Sequence, residues 1–176
     1  TLIPGDALFV QQTAQISQPL EEMCPYVYEN AWSPHLASRV EGNPVDLKVV
    51  RKGFLETADK YDYITMEGSG GILCPLCFDE RRIQLEDVIR EFELSSILVA
   101  DAGLGTINAV VLTVEYIRNH RMDVKGIILN HYSGGAMQED NEKMIERLTG
   151  VPVIARVREG DRELEVDLEV LKRVYD

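Results

Sequence analysis

The sequence is poor in cysteine, in long apolar runs and in clustered positive charge. Three cysteines cannot all pair, so a secreted disulfide framework is disfavoured and a reducing compartment is expected. The apolar runs are far shorter than the roughly 20 residues that span a bilayer, and no charged-then-apolar leader opens the chain. With 18 Lys and Arg against 30 Asp and Glu, no basic patch favours nucleic acid or an anionic membrane surface. These shortages predict a soluble, cytoplasmic protein that binds neither nucleic acid nor membranes.

The residues that are present can build a hydrophobic core. Of the 176 residues, 45% are apolar, and the 27% that are charged are scattered among them, as is typical of a globular protein. No repeat, low-complexity tract or long linker interrupts the chain. We therefore expect a single domain over residues 1–176.

Short apolar runs alternate with amphipathic stretches along the chain. Four β-rich runs are apolar on both faces, as buried parallel strands are: residues 63–66, 95–100, 124–129 and 151–155. Apolar residues at helical spacing predict helices near residues 47–58, 85–92, 107–117, 144–148 and 164–174. This alternation predicts an α/β fold of three layers, with helices on both faces of a mainly parallel β-sheet. Ligands of such sheets bind at the carboxyl ends of the strands, so the residues that follow each run are the first candidates for a site.

A glycine-rich segment follows the first predicted strand. Glu67 is succeeded by Gly68, Ser69 and Gly70. Glycines let the backbone approach a ligand closely, and a carboxylate at a strand end is well placed to hold Mg²⁺ directly or through water. The alternative is a flexible turn with one solvated glutamate.

A glycine turn also follows the second predicted strand and leads directly into a helix. The turn contains Gly103 and Gly105, and such a turn directs free amide N–H groups and the positive end of the helix dipole at whatever lies in front of it. We expect an anion there. The turn is not a dinucleotide fingerprint, because Asn108 stands where the third glycine is required. The alternative is an ordinary helix cap by Thr106 or Asn108.

Four further features carry weaker signals. Asn130 and His131 follow the third predicted strand and either hydrogen-bond a base edge or simply turn the chain. The C-x-x-C spacing of residues 74–77 lacks a second ligand pair, so metal or redox chemistry is disfavoured. Ser33 is expected to cap a helix that begins at Pro34, and the acidic residues at 163–169 are expected to form a solvated helix face.

Together these segments closely resemble the dethiobiotin synthetase family. The matching blocks, in the family's order and close to its spacing, lie at residues 5–7, 33–37, 67–76, 103–108 and 126–130. The resemblance implies a P-loop NTPase-like fold and a ligase of biotin synthesis. In that family an amine of 7,8-diaminononanoate takes up CO2 as a carbamate. ATP phosphorylates the carbamate, and the second amine then closes the ring with release of phosphate.

The resemblance also implies roles for individual residues. Asp6 and Glu67 match the family's acidic residues for Mg²⁺ and nucleotide, and residues 67–70 would line the phosphates. Asn130 and His131 would face the adenine, and Ser33 would lie by the diamine end. The helix start would receive the substrate carboxylate across a two-fold homodimer interface, with these residues: Gly105, Thr106, Ile107 and Asn108.

The sequence departs from the family in two places. Where the family has an Ile-Pro-type segment near the nucleotide, this chain has Arg158, Glu159 and Gly160, which we assign to nucleotide binding by position alone. The G-x-x-x-x-G-K-[ST] loop and the lysine that stabilises the carbamate do not occur, so no catalytic residue is assigned within the chain. We therefore expect that Thr1 marks the edge of a fragment without the N-terminal strands, and that the chain alone is inactive.

Two other functions fit the same sequence. One is a non-catalytic sensor or interaction module that kept the sheet without the P-loop, and that would bind a carboxylate at the helix start without binding Mg-ATP. The other is a related P-loop amidoligase or partitioning-type ATPase. Fold alone does not separate these functions, so the choice depends on the site residues.

Overall fold

The computed structural model describes residues 2–175, so Thr1, where we expect the edge of a fragment, lies outside the described residues. The chain divides into two compact units, Thr1–Phe92 and Glu93–Asp176. The expectation of a single domain stays a prediction. Within the described residues, no helix has the length and apolar character needed to cross a membrane.

The first unit is mostly helical. Its helices are α1 (Gly5–Ala14), α2 (Leu20–Met23), α3 (Pro34–Val40) and α4 (Leu47–Ala58), and they are followed by strands β1 (Pro75–Cys77) and β2 (Ile83–Gln84) and by helix α5 (Leu85–Glu91). The two strands pair antiparallel. A small core of Val45, Leu76, Cys77, Ile83 and Val88 joins this hairpin to α5. Phe54 of α4 stacks on Phe92 with ring centroids 4.3 Å apart, which attaches α4 to the same core.

The predicted strand at residues 63–66 is wrong. These residues have high β-propensity, but they have no regular secondary structure and belong to neither sheet of residues 2–175. β-propensity reflects packing on a pleated surface and is realised only beside a hydrogen-bonded neighbour. Tyr63 is 62% exposed, so its apolar area does not hold the segment in a core. The chain instead enters the glycine-rich turn as an irregular segment.

The second unit is an α/β arrangement. It contains β3 (Ser95–Asp101), α6 (Thr106–Asn119), β4 (Asp123–Asn130), α7 (Ala136–Thr149), β5 (Val153–Arg156) and α8 (Leu168–Lys172). The strands form a parallel sheet in the order β3-β4-β5. The expected α/β fold with a parallel sheet and packed helices is therefore confirmed.

The core of the second unit lies between this sheet and helices α6 and α7. It contains Val110 and Val114 of α6, Ile127 and Leu129 of β4, and Ile145 of α7. These side chains are at most 3% exposed, and their helical members repeat at the spacing that the sequence predicts. The side chain of Ile154 in β5 packs directly over Gly126 of β4, because a Cβ on Gly126 would lie 2.8 Å from Cδ1 of Ile154 and would force that side chain to shift.

The C-terminal helix is shorter than predicted. The apolar spacing predicts a helix over residues 164–174, but α8 spans only Leu168–Lys172, and Leu164 is exposed. Asp167 caps α8 by accepting a hydrogen bond from the Glu169 N–H, which fixes the start of the helix at this position. The acidic side chains of Glu163 and Glu165 therefore lie on the segment that precedes the helix, and the prediction that they form a helix face is wrong.

Candidate functional site

The two acidic residues that are predicted to hold Mg²⁺ lie in the first unit. Asp6 is in the first turn of α1, and Glu67 directly precedes the glycine-rich turn; both are exposed. Asp6 lies near Cys24, and its charge adds to burial, the larger cause, in raising the pKa of that thiol. Among residues 2–175, no group of three or more His, Cys, Asp or Glu side chains gathers as metal ligands. Any ion held by Asp6 and Glu67 would thus take its remaining ligands from water or from a bound phosphate.

The glycine-rich turn is packed tightly against its neighbours. A Cβ on Gly68 would lie 2.6 Å from Cδ2 of Leu85, at the start of α5. Gly70 has φ of 113°, which favours glycine, and a Cβ there would lie 3.3 Å from Sγ of Cys74. The turn is closed by a hydrogen bond from the Gly70 N–H to the Gly68 carbonyl, 2.9 Å long. This is a shaped turn rather than a loose linker, and Ser69 is exposed on it.

Ser33 occupies the predicted N-cap position of α3, with Pro34 as the first helical residue. Its side chain makes no capping hydrogen bond, and its hydroxyl lies 3.1 Å from Nδ1 of His35 instead. The position of Ser33 is therefore as predicted, but its capping role is wrong. The hydroxyl is exposed and close to an imidazole, an arrangement that can contact a polar ligand.

In the second unit, the glycine turn after β3 opens α6 as predicted. Gly105 is the N-cap residue, with φ of 94°, and no side chain caps the helix. The alternative of a cap by Thr106 or Asn108 is therefore wrong. Thr106 is 5% exposed, and its buried hydroxyl has no hydrogen-bond partner among residues 2–175. Because the first amide groups of a helix have no acceptor within the helix, the segment from Gly105 through Ile107 to Asn108 presents donors suited to an anion.

The ends of β3 and β4 lie side by side, as the parallel register requires. Asp101 pairs with Asn130 in that register, and His131 follows in the left-handed region with φ of 55°. Nδ1 of His131 lies 2.8 Å from Oδ2 of Asp101. Because an ionised carboxylate only accepts hydrogen bonds, Nδ1 carries the donated hydrogen. The hydrogen bond from His131, followed by the one from the Gly103 N–H, holds the pKa of the Asp101 carboxyl below its ordinary value.

Asp101 is a residue whose structural role the sequence analysis missed. Its Oδ1 accepts a 2.7 Å hydrogen bond from the Gly103 N–H, so one carboxylate contacts both the turn before α6 and the turn after β4. The sequence feature that could have revealed this role is the position of Asp101 at a strand end, directly before a glycine turn. In such a position an aspartate accepts hydrogen bonds from the backbone. His131 and Asp101 remain largely exposed, at 69% and 65% of their side-chain areas.

The segment after β5 forms a second turn with an adjoining cleft. The Arg158 N–H donates to Oδ2 of Asp161 at 2.8 Å, and Gly160 has φ of 84°. The cleft has a volume of about 490 Å³, and its lining includes Arg158, Gly160 and Arg162 together with acidic side chains of the following segment. Glu159 is exposed on the same turn. The three residues assigned to nucleotide binding thus lie together, at the carboxyl end of a parallel strand.

Comparison of the sequence with known proteins identifies its relatives. A family model described as an AAA domain matches residues 3–162. The ATP-dependent dethiobiotin synthetase BioD of Brachyspira hyodysenteriae is 46% identical over 170 residues, which cover 95% of this chain and 77% of that protein. The protein of the same name from Clostridium novyi is 44% identical, and the match covers 99% of this chain and 74% of that protein. The one from Clostridium perfringens strain 13 is 45% identical, and the match covers 98% of this chain and 76% of that protein.

Proposed function

The chain belongs to the dethiobiotin synthetase family, and we propose that the protein is an ATP-dependent ligase that converts 7,8-diaminononanoate and CO2 to dethiobiotin. One amine attacks CO2 and loses a proton to give a carbamate. A carbamate oxygen attacks the γ-phosphorus of ATP, ADP leaves, and a carbamic-phosphoric anhydride forms. The second amine attacks the anhydride carbon and loses a proton to solvent, and phosphate leaves with the bonding electron pair as the cyclic urea closes. The reaction depends mainly on positioning and on stabilisation of negative charge.

The observation that carries this proposal is the start of α6. Its first turn has a glycine N-cap, no capping side chain and a buried Thr106 hydroxyl without a partner within the described residues. A buried hydroxyl without a partner is costly, and an anion at the helix start would satisfy both the hydroxyl and the free amides. We assign the segment from Gly105 to Asn108 to the substrate carboxylate. The diamine end of the same molecule would lie near Ser33.

The nucleotide is assigned to the glycine-rich turn and to the turns that follow β4 and β5. Gly68, Ser69 and Gly70 would approach the phosphates, since glycines allow close contact with the backbone. Asn130 and His131 would contact the adenine, and the turn at residues 158–160 would lie beside it. The support for this assignment is the packing of the glycine-rich turn on Leu85 and the register that places Asn130 at the end of β4.

Asp6 and Glu67 are assigned to Mg²⁺. Their exposed carboxylates are hard oxygen donors, and Mg²⁺ is usually held by one or two carboxylates together with substrate phosphates and water, so the two residues fit this ion. When bound, Mg²⁺ would offset the charge that gathers between the phosphates and the carbamate. The two carboxylates themselves would orient the nucleotide by fixing the ion to α1 and to the glycine-rich turn.

We further propose that the protein is a homodimer whose two-fold interface brings the α6 helix start of one subunit to the diamine site of the other. Sedimentation of the protein at micromolar concentration tests this assignment, since a monomer that retains full turnover would contradict it.

The reaction is tested with protein produced from its complete coding sequence. We expect phosphate release that requires diaminononanoate, bicarbonate and Mg-ATP together. Glu67→Gln should raise the Mg²⁺ concentration for half-maximal rate by about tenfold or more, since changes to the partners of metal ligands alone cost about 10- to 100-fold in metal affinity. The matched control is Glu21→Gln, at an exposed carboxylate of α2, which should leave that concentration unchanged.

Two results would overturn the proposal. The first is a complete, folded protein that binds a carboxylate but neither binds nor hydrolyses Mg-ATP, which would favour the non-catalytic module. The second is phosphate release that does not depend on the diamine, which would favour a related ATPase.

A further inference from the structure

Two buried amide side chains lie on the face of α7 that packs against the core. Gln138 is 6% exposed and Asn141 is 8% exposed, and both share this face with Ile145. Neither is assigned to the chemistry above. Buried amides require hydrogen-bond partners, so the groups to which they are bonded show what they do.

Gln138 is bonded to the turn that follows β4. Its Oε1 accepts from the Ser133 N–H and the Gly134 N–H, both at 2.8 Å. Its Nε2 donates to the carbonyl oxygen of His131 at 3.3 Å. One side chain thus provides hydrogen-bond partners for three backbone groups of residues 131–134. These three groups lie outside helices and strands and therefore do not receive partners from regular secondary structure. This turn carries His131, which we assigned to the adenine.

Asn141, one turn further along α7, is bonded to a different loop. Its Nδ2 donates to the carbonyl oxygens of Ala102 and Gly103, at 3.2 and 3.3 Å. These carbonyls belong to the turn that leads to Gly105 and the start of α6. The same helix therefore holds the proposed nucleotide turn through one amide and the proposed carboxylate turn through the other.

Asp101 connects the two turns directly. Its two carboxylate oxygens bind the Gly103 N–H and the His131 ring, as described above. A Cβ on Gly103 would lie 2.7 Å from Oδ1 of Asp101, so glycine at this position is what allows the contact.

We propose that Gln138 and Asn141 are positioning residues, the first for nucleotide binding and the second for binding of the substrate carboxylate, and that Asp101 links the two turns. Each amide acts on one ligand only, because each is bonded to one turn only. Asp101 acts on both ligands. This inference depends on the proposed function of the two turns, but it concerns residues that touch neither ligand.

The test compares Gln138→Met with Asn141→Leu, two substitutions that keep approximate volume and remove the hydrogen bonds. We expect Gln138→Met to raise the KM for ATP by about tenfold and leave the KM for diaminononanoate within about twofold, since loss of orientation alone can cost about 100-fold. Asn141→Leu should raise the KM for diaminononanoate by about tenfold and leave the KM for ATP within about twofold. Asp101→Ala should raise both constants, and Asp140→Asn, on the exposed face of α7, should change neither.

The melting temperature of each variant is measured first. If one of these variants does not fold, Gln138→Ala or Asn141→Ala replaces it, because the shorter side chain also removes the hydrogen bonds and leaves room for water to satisfy the backbone groups of the turn. Dissociation constants for ADP and diaminononanoate, measured by calorimetry, show whether the changes in KM are changes in binding.

The outcomes separate the two proposals. A wild-type protein that is produced from the complete coding sequence and shows no turnover contradicts the proposed function itself. A wild-type protein with turnover, whose Gln138 and Asn141 variants change both constants equally or change neither, leaves the function intact and overturns the positioning inference. The crossed pattern, with a different ligand affected by each amide, is the result we expect.

Discussion

The buried hydroxyl of Thr106 gives the sharpest prediction, because a matched threonine exists in the same unit. Thr106 is 5% exposed and its Oγ1 has no partner among residues 2–175, whereas Thr149 is 4% exposed and its Oγ1 is bonded on both sides. Burying a hydroxyl without a hydrogen bond costs about 1–3 kcal/mol in protein mutational data. Thr106→Val replaces that hydroxyl with a methyl group, so we expect the free energy of unfolding to rise by about that amount.

The same substitution at Thr149 should lower the free energy of unfolding. Its hydroxyl donates to the Ile145 carbonyl oxygen at 2.7 Å and accepts from the Val151 N–H at 3.1 Å. Thr149→Val leaves the Val151 N–H buried without an acceptor, which costs about 1–3 kcal/mol. The two variants thus change the same atoms at the same depth and should differ in stability by several kcal/mol.

Urea denaturation measures the free energy of unfolding of both variants. Calorimetry measures whether the stabilised variant, Thr106→Val, has lost affinity for diaminononanoate. We expect Thr106→Val to bind the diamine more weakly, since the hydroxyl that destabilises the free protein is then missing from the carboxylate site. A Thr106→Val protein less stable than the wild type would refute the claim that the hydroxyl is unsatisfied. A more stable protein with unchanged diamine affinity would refute its place in the site.

Three further predictions follow from packing and burial. Ile145→Ala should cost about 2–5 kcal/mol in urea denaturation, because Ile145 is fully buried, whereas Leu148→Ala, at an exposed position of the same helix, should stay within about 0.5 kcal/mol. Burial raises the pKa of Tyr28 to about 12, so the folded state holds the phenol proton more tightly than the unfolded state does. The free energy of unfolding should therefore fall as the pH rises from about 10 to about 12. In the Tyr28→Phe variant, this fall in stability should be smaller. Gly68→Ala should weaken Mg-ATP binding in calorimetry, and a second change, Leu85→Ala, should restore it by making room for the new Cβ.

Helical periodicity predicted the parts of the fold that bury continuous apolar stripes. The stripe of Val110, Val114 and Ile117 marks α6, and these residues are at most 3% exposed. The parallel strands at residues 95–101 and 123–130 were also predictable, since their apolar runs are long. The segment at 63–66 is also rich in residues of high β-propensity but belongs to neither sheet of the described residues. Local sequence carries no information about which segments that are distant along the chain will form a sheet.

The candidate site was predictable only at strand ends that are marked by glycine or by the end of a buried apolar run. The positions of Gly103 and Gly105 predicted the start of α6. The position of Asn130, directly after a buried apolar run, made it a candidate site residue. The contacts of Asp101 were not predictable, because its partners Gly103 and His131 lie on different turns, and the latter is 30 residues away in sequence. Residue spacing along one strand cannot specify a contact across a parallel register.

The buried face of α7 shows how such a contact could still be sought in sequence. The face runs through Gln138, Asn141, Ile145 and Thr149, at the spacing of an apolar stripe, but its first two members are amides. Where the helix packs beside strands, the backbone groups of those strands are already paired in the sheet, so an apolar side chain such as Ile145 is sufficient. Where it reaches the strand ends, the turns have unpaired backbone groups, and only a polar side chain can satisfy them. A stripe that changes from amide to aliphatic along one helix therefore marks the end of the sheet at which turns have unpaired backbone groups. In this chain that end, where we propose that the ligands bind, is at the amino end of α7.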